Sequence, residues 1–526
     1  MIETNHTDFD VAIVGLGPVG CLGAILFAET GLKVVAIERE IEVNRLPRAV
    51  NLDGEIIRAL QPCELAHAVS EMMQPIRQGE RAGFANSKRE WLFGARAGST
   101  GSNGWQPNNM FHQPELDAFL RERVQSHPNV ETYIGYELIE FTNRCNKVNL
   151  DLANDSDTRS LNSRYLVACD GANSSTRKKI GISWRDLGYD QDWLVVDVIM
   201  HKPHHLPNEV LQICDPDRIH TYVATKDPFR RWEFQLNPGE NREQMLEEEA
   251  IRNLLDSWTP RHTYTICRSA IYQFHAAVAA SWNHGRIFLA GDAAHQSPPF
   301  LGQGMNSGMR DVINLAWKLP LVIKGVCVDS LLETYELERR AHTLDLISWA
   351  VDIGLLMQQI AARETCKRLG EQPPELQKSI RKTGYGQGRE QPAIRSGAVM
   401  IEQVCDEGIS GYLFSQPMIR DKAGNIFRFD ELIGSSFSLL SRGPVSLNEQ
   451  SKETINAIDI KHVDISSFEV VAGKFPDLLK LGGILLLRPD KVVFGHTSDS
   501  ISVDDLILEL KSSIKVRQPT AGTSLS

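Results

Sequence analysis

The apolar positions of this chain follow two rhythms: short unbroken runs that read as buried strands, and longer stretches with helical spacing between them. In "FDVAIVGLGPVGCLGAILFAETGLKVVAIERE" the run Val11 to Val14 is a strand, a glycine-rich turn follows, and a helical stretch continues to about Glu29. Gly31 ends that helix, and "KVVAIE" is a second strand closing on Glu38. Two later runs stop abruptly on small and acidic residues: "YLVACDGANSSTRKKIG" reaches Asp170-Gly171, and "GRIFLAGDAAH" reaches Gly291-Asp292. Residues 185–275 carry "WLVVDVIM", "RIHTYVAT", "RRWEFQL" and "YTICRSAIYQF", rich in β-branched and aromatic residues and punctuated by "KDPF" and "NPGE". That pattern predicts an antiparallel sheet, joined by a segment near 75–110. Val312 to about Leu369 reads as helices, including "LISWAVDIGLLMQQIA", where Asp352 and two glutamines mark a buried rather than a spanning helix. Residues 371–400, with "GYGQGREQPAIRSG", read as an irregular connection, and strand and turn character resumes from about 401 in "ISSFEVVAGKFPDLLKLGGILLLRPDKVVFGH".

The first glycine cluster has the spacing G-x-G-x-x-G at Gly15, Gly17 and Gly20. Gly15 permits the tight turn, and Gly17 lets the backbone approach a pyrophosphate that the helix N-terminus attracts. Gly20 lets helix and strand pack closely. Glu38 lies 18 residues beyond Gly20 at a strand end, where a carboxylate accepts hydrogen bonds from ribose hydroxyls. A glycine triplet alone is weak evidence; strand, helix, strand and terminal acid together predict a bound dinucleotide, which this motif leaves open between NAD and FAD. No second such fingerprint occurs.

Composition narrows the picture. The 526 residues are too many for one core and imply two or three domains. A net charge of −11 argues against nucleic acid or an anionic membrane as partner and otherwise reads as a solvated acidic surface. Nine cysteines, with no Cys-x-x-Cys pair and no metal-ligand spacing, read as reduced thiols in a cytoplasmic protein without a metal centre. The polar start "MIETNHTDFD" lacks the basic and apolar regions of a signal peptide.

The three glycine-acid motifs together resemble the class A flavoprotein monooxygenases, the family of para-hydroxybenzoate hydroxylase and phenol hydroxylase. The likeness covers most of the chain. "HTYVATKDPFRRWEFQLNPGE", "YQFHAAVAASWNHGRIFLAGDAAHQSPPFLGQGMNSGMRDVINLAWKL" and "LLETYELERRAHT" are most similar to the branch hydroxylating 3-(3-hydroxyphenyl)propanoate. The resemblance implies an α/β fold: a Rossmann-like FAD-binding domain with an inserted, mainly antiparallel substrate domain and a C-terminal thioredoxin-like domain. The expected boundaries are 1–75, 111–184 and 276–400 for FAD binding, 76–110 and 185–275 for substrate, and 401–526 for the tail. The tail lacks Cys-x-x-Cys, so redox activity there is not expected.

The resemblance places FAD against Gly15, Gly17, Pro18, Val19, Gly20, Glu38 and Arg39 at the first motif, and Asp170 and Gly171 at the second. At the third it implicates Gly291, Asp292, Pro299, Gly302, Gly304, Met305 and Asn306, with Asp292 on the ribitol and the glycine loop along the isoalloxazine. The physics agrees: the amides of Gly304, Met305 and Asn306 open a helix and favour negative charge, while Pro298 and Pro299 stiffen the loop and remove donors. Arg48 matches a family arginine near flavin and pyrophosphate, and is otherwise a surface ion pair. Gln113 matches a ribose or phosphate contact, and is otherwise part of a helix cap with His112 and Pro114; both readings can hold.

The implied activity consumes NADH or NADPH and O2 and hydroxylates a small phenol through a C4a-hydroperoxyflavin. The same cofactor on another substrate would give N-heterocycle hydroxylation, epoxidation or Baeyer–Villiger-type oxidation, and a flavin-binding protein without turnover is the reading from outside enzymology. His220 and Tyr222 alternate along one strand and face one side of it; they are candidates to assist deprotonation, with sheet packing as the plainer reading, and Pro299 would shape the reactive edge. His295 either orients its loop or moves protons. Arg230 and Arg231 face opposite sides, so at most one meets substrate, and loop-edge surface charge is the favoured reading. A homodimer is the oligomeric state the family suggests.

Overall fold

The structure is a computed structural model, and it describes residues 7–76, 79–96, 101–201, 204–375, 391–405 and 408–517. The part of the expected irregular connection spanning 376–390 lies outside these residues.

The buried strand Phe9–Val14 lies in the middle of an eight-stranded sheet. It runs parallel to Val34–Glu38 on one side and to Thr158–Ala168 on the other, and Ile287–Leu289 adds in parallel beyond that. Val14 is opposite Ala168, and Ala168 is opposite Leu289. Parallel register therefore brings the carboxyl ends of three strands, far apart in sequence, to one edge of the sheet, where α/β proteins bind ligands. Helix Pro18–Glu29 packs on helix Gly304–Ile323. A side chain at Gly308 would lie 2.7 Å from both Gly291 Cα and Val19 Cγ2, so only glycine lets that helix cross so close.

A second eight-stranded sheet stands across from this edge. Its order is His295–Gln296, Tyr264–Ala279, Trp184–Met200, Phe229–Gln235, His220–Val223, Val210–Cys214, Arg81–Asn86 and Trp91–Arg96. All pairings are antiparallel except Val210–Cys214 with Arg81–Asn86. One face packs Leu194, Val196, Trp232 and Phe234 into a separate core under helix Glu248–Leu255. The strands Arg81–Asn86 and Trp91–Arg96 belong to this sheet. Gln74–Pro75 and Asn108–Met110 instead form a small sheet with Asn51–Asp53, because their backbone partners lie there.

The long helix Glu333–Leu369 contains a stretch long and apolar enough, by length and composition only, to cross a membrane. Here its inner face, including Ile347, Ala350, Ile353 and Met357, is buried in the main core. Beyond residue 400 a four-stranded sheet has the order Lys461–Asp464, Ser438–Ser441, Leu485–Leu487, Val493–His496, with the first pair parallel and the others antiparallel. Helix Glu449–Ile458 connects the parallel pair, and Val503–Ser513 follows the hairpin. This βαβ-plus-hairpin unit occupies the stretch where the resemblance leads one to expect a thioredoxin-like tail.

A buried ion cluster fastens that unit to the helices. Glu338 accepts from Lys318 Nζ at 3.0 Å, Arg488 Nη2 at 2.8 Å, Asn314 Nδ2 at 2.7 Å and the Ala398 amide at 2.9 Å. Burial alone would raise this carboxyl; Arg488, Lys318 and the Ala398 amide overcome that and hold it at about 2.

Candidate active site

The three strand ends, the loop after Asp292 and the inner face of the second sheet enclose one cavity of about 1090 Å³. Gly15, Gly17, Pro18, Val19, Glu38, Arg39, Arg48, Gln113, Asp170, Gly171, Gly291, Asp292, Pro299, Gly302, Gly304 and Met305 line it. Gly20 and Asn306 do not. At Gly20 a Cβ would sit 1.9 Å from the Gly15 carbonyl oxygen, so this glycine serves the turn and the packing behind the wall. Asn306 is fully buried and ties two wall elements together: its side chain donates to the carbonyls of Asn51 (3.1 Å) and Gly302 (2.9 Å) and accepts from the Asp53 amide at 3.0 Å.

Two helix N-termini open on this space. Gly17 caps helix Pro18–Glu29, and nothing lies within 4 Å of where its Cβ would be. Gly304 and Met305 begin helix Gly304–Ile323, whose first amides have no intrahelical acceptor. Glu38 accepts from the Leu16 amide at 2.7 Å and the Glu40 amide at 2.8 Å, which sets the glycine turn against the second strand. Gln113 accepts from the amides of Arg48 and Ala49, both at 2.7 Å, so it anchors the Arg48 loop while also lining the cavity.

Asp170 accepts from the Thr176 amide through one oxygen, and its other oxygen is buried without a partner. Desolvation raises the Asp292 carboxyl above its ordinary value, against the pull of His295 and Arg48. A cavity of this volume, two helix N-termini, an unpaired acceptor and a strand-end carboxylate fit a dinucleotide carrying pyrophosphate and a polyol.

His295 sits behind the wall. It is buried, stacks on Trp282 at 5.3 Å between centroids, and meets Asp311 Oδ2 at 2.8 Å. Asp311 also accepts from the Gly291 amide and from Arg339, both at 3.0 Å. Orienting the motif is thus the role its contacts support.

His220 and Tyr222 do not face the cavity, which corrects the catalytic expectation for both. They lie on the outer face of the sheet: His220 rests against Phe234 and Trp258, and Tyr222 stacks on Trp258 at 4.7 Å and donates to the Pro207 carbonyl at 2.7 Å. Burial pushes the His220 imidazole down to about 4. The two residues do share one face of their strand, but the cavity takes the other set: Thr221 and Val223, with Val210, Gln212, Arg231 and Glu233 on neighbouring strands.

The surface reading of the arginine pair is also overturned, because both are buried. Arg230 turns outward to Asp227 (2.8 Å) and Asn208 (2.9 Å). Arg231 turns inward, pairs with Asp197 at 2.7 and 3.0 Å, and donates to the carbonyls of Arg48 (2.8 Å) and Pro47 (2.6 Å). Arg268 donates to the same Asp197 at 3.0 Å and to Pro47.

Glu233, beside Arg231 at 3.9 Å, was missed from sequence. Its signal was an acid inside the apolar strand "RRWEFQL". Asp53 and Gln303 were also missed; Arg310 Nη2 donates to Asp53 at 2.6 Å and Gln303 Nε2 donates to it at 2.9 Å.

The family described as FAD binding domain matches residues 8–350. The chain is 32% identical over 458 residues to the 3-(3-hydroxy-phenyl)propionate/3-hydroxycinnamic acid hydroxylase of Escherichia coli (strain K12), covering 86% of this chain and 81% of that protein. Among solved structures, the ternary complex of aklavinone-11 hydroxylase with FAD and aklavinone superposes with a TM-score of 0.77 at 21% identity, covering 97% of this chain and 100% of that one. The anhydrotetracycline hydroxylase OxyS from Streptomyces rimosus gives 0.70 at 20% identity, covering 96% and 99%. The chain belongs to the FAD-dependent aromatic hydroxylases, a family of flavin monooxygenases.

Proposed function

We propose that this protein hydroxylates a small phenol at the expense of NAD(P)H and O2. The observation that carries the reading is the single cavity in which all three motif ends meet the loop Pro299–Gly302 and, opposite, the inner face of the second sheet. FAD, when bound, supplies electron transfer and oxygen activation. Gly15, Gly17, Pro18, Val19, Glu38 and Arg39 would hold its ADP portion, Asp170, Gly171 and Gln113 its middle, and Asp292 with Arg48 its ribitol. Gly302, Gly304 and Met305 would bear the ring, with free helix amides facing its negative charge. Pro299 offers no amide donor, and its carbonyl already accepts from the Gly302 amide at 2.7 Å, which fixes the loop. Phe300, Leu301 and Trp349 supply apolar wall that excludes water. The row Gln212, Thr221 and Glu233 gives a phenol polar neighbours across from that loop.

The purified protein should carry bound FAD and oxidise NADH or NADPH faster when a suitable phenol is added, with one atom of labelled O2 entering the ring. A panel that includes 3-(3-hydroxyphenyl)propionate and uncharged phenols tests this. No stimulated oxidation and no labelled product across such a panel, from protein that holds FAD, overturns it.

A further inference from the structure

Side chains on the inner face of the second sheet form rows that cross its strands. Thr221 lies opposite Gln212 on one side and Glu233 on the other, and all three line the cavity. Gln212 is the end of this row nearest the Pro299–Gly302 loop, with its Nε2 at 3.5 Å from the Phe300 carbonyl. Thr221 Oγ1 donates to Gln212 Oε1 at 2.6 Å, so the middle of the row is already paired. Neighbouring strands are about 4.8 Å apart, which puts Glu233, two strands on, about 10 Å from Gln212. That strip accommodates one phenol ring, with a ring carbon toward the loop and the hydroxyl toward Glu233.

The surroundings of Glu233 leave its carboxyl available to a ligand. Val195 and Thr221 flank it across the strands, and Arg231 follows on its own strand at 3.9 Å. Asp197 and Arg268 come from the next two strands, and Arg48 lines the cavity beside Arg231, which donates to its carbonyl. Arg231 and Arg268 both spend their short contacts, at 2.7 and 3.0 Å, on Asp197. Burial pushes the Glu233 carboxyl up to about 7; Arg231 pulls it down, Asp197 adds to the rise and Arg268 opposes it. Buried acids of this kind, facing a cleft, concentrate at functional sites, and near neutral pH such a group can both take and return a proton.

We propose that Glu233 is the catalytic base, whose carboxylate takes the proton of the substrate's phenolic hydroxyl. This rests on the hydroxylase reading and deepens it. The phenol O–H bond breaks, its electron pair stays on the ring oxygen, and an O–H bond forms on Glu233. The ring carbons ortho and para to that oxygen become more electron-rich, as oxygen insertion requires. The proton returns to the same oxygen as the hydroxylated product leaves, so the transfer itself consumes nothing.

The test uses the FAD-loaded full chain and two probes labelled with carbon-13 at the hydroxyl-bearing carbon, 3-methylphenol and 3-(3-hydroxyphenyl)propionate. Bound to the parent at pH 8, the labelled carbon should resonate toward the phenolate position; bound to Glu233→Gln, it should stay at that of the neutral phenol. For a probe that is hydroxylated, the parent's kcat should rise with pH through an apparent pKa near 7. Glu233→Gln should flatten that rise and lower kcat roughly 100-fold, with KM within about threefold. Its melting temperature at pH 8 should equal or exceed the parent's, which separates lost chemistry from lost folding. Glu233→Asp, which keeps the carboxylate, should recover roughly a tenth of the parent's kcat together with its pH dependence. Parental turnover and an unchanged pH profile in Glu233→Gln overturn the proposal and leave the hydroxylase reading standing, and so does a bound resonance that is the same in parent and variant. A resonance shift lost in Glu233→Gln, with no labelled oxygen entering either probe, sustains the proton transfer and overturns the hydroxylase reading instead.

Discussion

Two buried ion clusters in this protein use the same ingredients to opposite ends. At the junction with the C-terminal unit, Lys318 and Arg488 face Glu338 and Asp490, and four donors saturate the Glu338 carboxylate. Under the cavity, Arg231 and Arg268 face Asp197 and Glu233, but both guanidiniums donate to Asp197 and Glu233 is left at 3.9 Å. One carboxyl is held at about 2, the other pushed up to about 7. Burial with a full set of donors makes a clamp; burial with a donor missing makes a group that titrates near neutrality and faces whatever enters.

The sharpest way to break this comparison is at the clamp. Glu338→Ala leaves Lys318 and Arg488 buried without their carboxylate and should cost about 3–5 kcal/mol, read by denaturant unfolding. Trp317, 5.0 Å from the Arg488 guanidinium, is a local fluorescence reporter. The folded fraction should still bind FAD with its original affinity.

Asp197→Asn should separate the two clusters by function. It removes the main partner of Arg231 and Arg268, which grip the Pro47 and Arg48 carbonyls, so stability should fall by about 3 kcal/mol. Because Arg48 lines the cavity, the FAD dissociation constant should also rise, roughly tenfold or about 1.4 kcal/mol. Unchanged FAD affinity would show that the cluster does not position the loop.

Glu233→Gln is expected to act in the opposite direction. The folded carboxyl lies near 7, above its ordinary 4.5, so the stability linked to its neutral form is complete below about 4.5 and is lost as pH rises through 7. The amide cannot ionise, so the variant should match the parent near pH 4 and exceed it at pH 8 by up to about 3 kcal/mol, visible as a pH-dependent gap in melting temperature. The smallest effect is expected on the outer face of the sheet. Tyr222→Phe loses one hydrogen bond to Pro207, about 1 kcal/mol, and should leave kcat/KM for a hydroxylated phenol within about twofold, because the residue does not reach the cavity.

The nucleotide half of the site was legible because its signals are local. Strand, glycine turn, helix and Glu38 lie within 30 consecutive residues, and each later strand announces its end with Asp170 or Asp292 beside a glycine. The substrate half was not, because its selection is made by pairing. Period-two alternation says that His220 and Tyr222 share a face, but the partners decide which face: Thr221 lies opposite both Gln212 and Glu233, and that row turns inward. The burial of Arg230 and Arg231 was hidden for the same reason, since Asn208 and Asp197 come from other strands or loops.

By itself the chain determined a dinucleotide cradle and the presence of a facing sheet, both consequences of short-range spacing and backbone chemistry, while FAD rather than NAD followed from the family resemblance that its three motifs carry. Only the tertiary structure decided which carboxylates find their cations. Glu338 meets Lys318 from a neighbouring helix and Arg488 from the C-terminal unit, whereas Glu233 meets a guanidinium already committed to Asp197. Coulomb energy and desolvation depend on distance and burial in space, and those are set when the elements pack.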